Sequence, residues 1–228
     1  ELLRFVGKHR ADHDGQGMVQ TKKGQLLMNL ERFDLDNVFF TADNHFGHEN
    51  IIKFCSRPFE NVDQMDTTMV ERWNDTVPLH GTVFHLGDFS LNDFRWVLPK
   101  FAMLHGTIYI LSNPWHHDKR WLGMAEENLG ILYTLNRNDV RLLPPIEVLE
   151  VPQLGDGKYP LAITLCHYPM AEWDRAHHGS WHLHGHSHGK YRYSNGEKAL
   201  DVGVDSWDFS PVQFIDVQYR MLAINWKD

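Results

Sequence analysis

The stretch "NVFFTADNH" (37–45) is an apolar run that ends directly on an aspartate and a histidine. Val38 to Thr41 is β-branched and aromatic, the composition of a strand, with Asn37 before it and Asp43, Asn44 and His45 after it. A strand that delivers a carboxylate and an imidazole at its carboxyl end fits an α/β fold, where ligands bind beyond the carboxyl ends of the strands.

The same pattern returns four times. "TVFHLGD" (82–88) ends on Asp88, "TIYILSN" (107–113) on Asn113, "LAITLCHYP" (161–169) on His167 and "SWHLHGHSH" (180–188) on His186 and His188. The intervals carry helical spacing. Val62, Met65, Met69, Val70 and Trp73 share one face of a helix that Asn61 would cap. "DKRWLGMAEENLGIL" (118–132) is a second helix candidate, weakened by its glycines. Strands alternating with helices predict an α/β fold. Residues 1–36 differ: polar and glycine-rich at first, then "MVQTKKGQLLMNL" (18–30), a hairpin candidate with Lys23-Gly24 at its turn. The reading is a partly ordered N-terminal extension, 1–36, followed by one domain, 37–228.

Composition narrows the function. The 228 residues are 42% hydrophobic and 23% charged, as in globular domains. No apolar run is long enough to span a bilayer, and no signal-peptide segment is read. The chain starts on Glu1, so the natural start is expected upstream. A net charge of −8 argues against a broad surface for extended nucleic acid. Two cysteines, Cys55 and Cys166, exclude a disulfide framework and fit a cytoplasmic location.

The unusual feature is 16 histidines, several clustered at the strand ends. Asp43, His45, Asp88, Asn113, His167, His186 and His188 are all oxygen or imidazole donors. That set fits a catalytic site for Mn, Fe or Zn better than a structural zinc site, which recruits thiolates. Seven donors are too many for one tetrahedral ion and suit two ions bridged by one carboxylate.

These motifs resemble, in order, the five motifs of calcineurin-like metallophosphoesterases. The small single-domain bacterial and phage type is the nearer likeness, through "TADNHFGHENII" (41–52), "RPF" (57–59), "FHLGDF" (84–89), "HYP" (167–169) and "HGHSHG" (184–189). The resemblance covers roughly residues 38–210 and implies a four-layer αββα sandwich of two mixed sheets flanked by helices. It implies that Asp43, His45 and His188 hold one divalent ion, that Asn113, His167 and His186 hold a second, and that Asp88 bridges them. The expected cofactor is two divalent ions, with Mn preferred and Fe or Zn as alternatives. The expected activity is hydrolysis of small phosphate mono- or diesters by attack of a metal-bridging hydroxide.

The family's third motif, Gly-Asn-His-Asp/Glu, is altered here to "LSNPWHHDKRW" (111–121). Ser112 replaces the glycine and Pro114 follows Asn113, as if a short insertion separated Asn113 from "HHD" (116–118). The general acid is then His117 or His116, with His117 preferred because "HD" restores the family's dipeptide. Pro114 biases Asn113 away from helical geometry, so "PW" is expected to bulge outward and Asp118 to lie at the start of a helix. His48 is read as a phosphate contact or a structural residue. Arg57 is a phosphate clamp or a surface ion pair, and Trp173 a cleft wall or a core residue. His85, His182 and His184 are read as strand residues or supports for the ligands. Two alternatives stand beside the phosphoesterase reading: a nuclease or cyclic-nucleotide phosphodiesterase, and a metal-bound protein-interaction scaffold without activity.

Overall fold

The computed structural model describes residues 18–20, 26–113, 116–125, 140–155, 157–193 and 196–224. The strands among them are β1 (Met18–Gln20), β2 (Leu26–Asn29), β3 (Val38–Thr41), β4 (Thr82–His85), β5 (Thr107–Leu111), β6 (Val140–Leu143), β7 (Ile146–Val151), β8 (Leu161–Cys166), β9 (Trp181–His184), β10 (Ala199–Asp201) and β11 (Val212–Gln213). They form two mixed sheets, ordered β1-β2-β7-β8-β9-β10 and β11-β3-β4-β5-β6. β3 to β6 are parallel neighbours, as are β8, β9 and β10. The chain is therefore α/β, with two mixed sheets and helices.

The strand period of two explains how the layers meet. Val38 and Phe40, Phe84, and Tyr109 and Leu111 pack with Leu149, Val151, Ile163, Leu165, Trp181 and Leu183 of the other sheet. The alternate residues Phe39, Val83, Ile108 and Ile110 pack instead with Ile51 of α1 (Glu49–Phe54), with Met65, Met69 and Trp73 of α2 (Val62–Thr76), with Val97 and Phe101 of α3 (Phe94–Met103), and with Trp121. Asn61 caps α2 as the sequence suggests, accepting the Gln64 N–H at 2.9 Å. Residues 119–125 are helical; the rest of the "DKRWLGMAEENLGIL" candidate lies outside the described residues.

All five strands that the sequence pattern predicts are present. β1 and β2 pair antiparallel, and β2 pairs parallel with β7. The end of the segment read as an extension is thus built into a sheet, and Met28 and Leu30 are buried between the sheets. The Lys23-Gly24 turn lies outside the described residues. Among the described residues, no helix is long and apolar enough to cross a membrane.

Candidate metal centre

The loops after β3 and β4 stay registered beyond the strand ends. The Asp43 N–H donates to the Gly87 carbonyl at 3.0 Å, and the His45 N–H to the Asp88 carbonyl at 3.0 Å. After β8 and β9, the Gly185 N–H donates to the His167 carbonyl at 3.0 Å. Parallel strands end side by side, so their first loop residues converge on one edge of the molecule. Asp43, His45, Asp88, His186 and His188 all have φ between 48° and 66°. They are five of the nine non-glycine residues with positive φ among those described. Such strain of about 1–3 kcal/mol per residue gathers where function requires it.

The side chains meet at Asp88. His45 Nε2 and His167 Nε2 each lie 3.5 Å from Asp88 Oδ2. That is too long for a hydrogen bond. It matches the separation of two donors on one tetrahedral ion, roughly 3.4 Å for metal–ligand bonds near 2.1 Å. Asp43, His45 and His188 offer donor atoms within 4.8 Å of one another, and so do Asp88, His167 and His186. Six of the seven expected ligands therefore fall into two sets joined at Asp88. Asn113 is buried two residues past β5, and its carbonyl accepts the His116 N–H at 3.1 Å.

Two of the imidazoles are held through Nδ1. His167 Nδ1 donates to the Leu86 carbonyl at 3.1 Å, and His188 Nδ1 to Asp205 Oδ2 at 2.7 Å. Each bond fixes the tautomer that leaves Nε2 free as a donor to a metal. Both ring nitrogens of His45 are buried with no hydrogen-bond partner among the described residues. Asp43 is held by the His186 N–H, at 3.1 and 2.8 Å to its two oxygens. It fits only because two neighbours lack side chains. A Cβ on Gly203 would stand 2.4 Å from Asp43 Oδ2, and one on Gly185 would stand 2.8 Å from it.

The altered third motif splits its two histidines. His117 is exposed; its N–H donates to Asp88 Oδ1 at 3.1 Å, and its Nε2 lies 3.8 Å from Asp88 Oδ2. His116 is buried at 3% exposure, with its ring centroid 4.1 Å from that of His167. Asp118 precedes the helical residues 119–125, as expected, but its carboxylate turns inward. It accepts the Phe89 and Ser90 N–H groups at 3.1 and 2.9 Å and Trp121 Nε1 at 2.8 Å, which fastens the loop after Asp88. The "PW" bulge at 114–115 lies outside the described residues.

Arg57 is not brought to the cleft as a phosphate clamp. Its guanidinium is buried, paired at two points with Asp205 (2.9 and 2.8 Å) and donating to the Asn44 and Asp43 carbonyls (2.9 and 2.6 Å). It splints the strained loop after β3 to the aspartate that orients His188. His48 is at the cleft, its ring centroid 5.5 Å from that of His45 and 6.0 Å from that of His117. Trp173 packs on His182 and donates to the Ser180 carbonyl. His182 Nδ1 donates to Thr164 O and its Nε2 accepts the Met170 N–H, while His85 bonds Asn44 Oδ1; both are supports.

Burial and the paired charges set the electrostatics. Burial pushes the Asp43 carboxyl up to about 7 against the pull of His167 and His188. Burial also opposes ionisation of Asp88, but His167, His45 and His117 hold it well below the usual carboxylate range. His188 is lifted to about 10, with Asp205, Cys55 and Asp43 overcoming its burial. Burial lowers His45 far below its ordinary value. Two buried carboxylates thus draw cationic partners from the imidazoles around them, a role that bound divalent ions would fill. The orphaned nitrogens of His45 and an all-N/O donor set fit such ions.

Sequence reading missed Asp205 and Asp201. Asp201 accepts the Ser187 hydroxyl at 2.5 Å and the Gly189 and Gly203 N–H groups at 2.8 Å, knitting the "GHSH" loop to the glycine beside Asp43. Neither aspartate stands within one of the motifs. Only the glycine between them, in "DVGVD" (201–205), hints at a close approach.

No family model matches the chain. It is 28% identical over 182 residues to the uncharacterized protein MJ1445 of Methanocaldococcus jannaschii, covering 77% of this chain and 85% of that one. It is 23% and 26% identical to the gene 66 proteins of Mycobacterium phages L5 and D29, over 76% of this chain and 88% and 90% of theirs. The crystal structure of AQ665, a protein of unknown function from Aquifex aeolicus, superposes with a TM-score of 0.55 at 19% identity. It covers 80% of this chain and 98% of that one, a likeness of fold.

Proposed function

We propose that this chain is a dinuclear metal-dependent phosphoesterase of the calcineurin-like type, acting on small phosphate mono- or diesters. One observation carries the reading: a single carboxylate oxygen, Asp88 Oδ2, stands 3.5 Å from His45 Nε2 and 3.5 Å from His167 Nε2, at the junction of two donor sets. Two facing mixed sheets that share one core support the finer reading of the fold as the αββα sandwich of that superfamily.

Asp43, His45 and His188 would hold one divalent ion, His167 and His186 the other, and Asp88 both. When bound, the two ions supply Lewis acidity toward the phosphoryl oxygens and activate water as the nucleophile. Mn²⁺ is preferred on donor type, with Fe and Zn as alternatives. The remaining work belongs to side chains. His117, exposed and tethered through its own N–H to Asp88, would protonate the leaving oxygen. His48, beside His45 and His117, would donate a hydrogen bond to a phosphoryl oxygen. Arg57 and Asp205 hold the loop and His188 in register rather than touching substrate.

Protein stripped with EDTA and reconstituted with Mn²⁺ is assayed on p-nitrophenyl phosphate and bis-p-nitrophenyl phosphate. Hydrolysis that is abolished by EDTA and restored by Mn²⁺ is expected. Two bound ions without hydrolysis of either ester would favour the scaffold reading, and no bound ion would reject the metal centre itself.

A further inference from the structure

His116 has no role in the chemistry above, yet its placement is demanding. It is 3% exposed, and neither ring nitrogen has a hydrogen-bond partner among the described residues. An imidazole with two bare nitrogens does not persist in a protein interior unless something occupies one of them. Its described neighbours do not. The Asp118 oxygens already accept two backbone N–H groups and an indole N–H. The Tyr168 ring lies 5.6 Å away, centroid to centroid, in a T-shaped arrangement.

His116 forms a donor set of its own with Asp88 and Asp118, which meets the second donor set at Asp88. Its ring packs on His167 with centroids 4.1 Å apart, and a ring nitrogen lies within 4.8 Å of carboxylate oxygens of Asp88 and Asp118. Gly87, at φ +109°, makes the space: a Cβ there would stand 2.6 Å from His116 Nδ1. The backbone is pinned on both sides. The His116 N–H donates to the Asn113 carbonyl, and the following N–H, of His117, donates to Asp88 Oδ1. The ring is thus held beside the bridging carboxylate, three residues after the asparagine that the sequence resemblance assigns to this ion.

We propose that His116, rather than Asn113, is a ligand of the second divalent ion, together with Asp88, His167 and His186. This rests on the dinuclear reading. It makes the second site richer in imidazole than the resemblance implies, and so better suited to Zn²⁺ or Fe²⁺ than an amide-bearing site. It also removes His116 as a candidate acid and leaves that role to His117.

The test counts ions. Metal-free wild type, His116→Ala, His116→Asn and Asn113→Ala are titrated with Zn²⁺ by calorimetry, and ions per chain are measured by elemental analysis after gel filtration. Two ions are expected for wild type and for Asn113→Ala. His116→Ala should retain one ion, or bind the second at least tenfold more weakly, and His116→Asn should recover part of that loss through its amide oxygen. Should His116→Ala fail to fold, His116→Leu, which fills the space without a donor atom, is compared with wild type and read by the same tenfold criterion. Two ions at unchanged affinity in the His116 variants would overturn the assignment while leaving the dinuclear reading intact. So would loss of the second ion in Asn113→Ala alone. A wild type that binds no ion would overturn both.

Discussion

His45 Nε2 stands 3.5 Å from Asp88 Oδ2, with neither of its ring nitrogens hydrogen-bonded to any described residue. The gap is too wide for a hydrogen bond and suits two donors on one ion. His167 repeats it on the same oxygen. Asp88→Asn should therefore weaken both ions and lower turnover by about a hundredfold or more, equivalent to losing about 3 kcal/mol of charge stabilisation. His188→Ala should mainly weaken one ion. Metal content and kcat of the two variants check this; two ions and near-native turnover in Asp88→Asn would remove the bridge.

Arg57 and Asp205 form a buried pair at 2.8–2.9 Å whose carboxylate also orients His188. Removing one partner of such a pair costs about 3–5 kcal/mol. Arg57→Ala should lower stability by about that amount in denaturant titrations. Asp205→Asn should weaken metal binding by about 10–100-fold, as expected for a partner that orients a ligand. Arg57→Lys should not restore the wild type, because an ammonium cannot make the two-point contact.

Gly203→Ala places a methyl group 2.4 Å from Asp43 Oδ2 and 2.9 Å from Asp201 Oδ1. The expected penalty is about 1–3 kcal/mol of stability. A larger relative loss of the ion held by Asp43 should accompany it, read by metal titration of the folded variant.

Glu147 is buried on the face of β7 that also carries Leu149 and Val151. Burial raises its carboxyl from 4.5 to about 6, against hydrogen bonds from the Val148 and Met28 amides. The folded protein therefore holds this proton more tightly than the unfolded chain. Its contribution to stability is fully present below about pH 4.5 and is lost as pH rises through 6. Glu147→Gln should remove that slope and stabilise the protein at pH 8 by about 2 kcal/mol. Denaturant titrations of both proteins at pH 4.5 and pH 8 check it; equal stabilities at pH 8 would contradict it.

His117 is the exposed imidazole tethered to Asp88. General-acid assistance is worth about 10²–10⁴ in rate and matters most for poor leaving groups. His117→Ala should slow alkyl phosphate esters far more than p-nitrophenyl esters, whose leaving group needs little protonation. Equal losses on both would remove the acid role from His117.

The strand ends were legible because a period of two and an abrupt change from apolar to ligating residues are local signals. β3, β4, β5, β8 and β9 each carry one, and six of the seven expected donors meet in two sets. Arg57 misled because a motif arginine near a site reads alike whether it faces substrate or a buried aspartate. Its partner, Asp205, lies 148 residues away, and nothing local marks it. The inward turn of Asp118 depends on the amides of Phe89 and Ser90, which only the folded sheet brings near. The separation of His116 from His117 follows from which of two adjacent rings the turn points inward, a matter of geometry that a dipeptide does not encode.

The central claim is that Asp88 joins two ions. Anomalous diffraction at the manganese edge, from crystals grown with Mn²⁺, tests it most directly. The account predicts two peaks roughly 3.5–4 Å apart, one beside Asp43, His45 and His188, the other beside His167 and His186, with Asp88 contacting both. A single peak, or two peaks of which Asp88 touches only one, would contradict it.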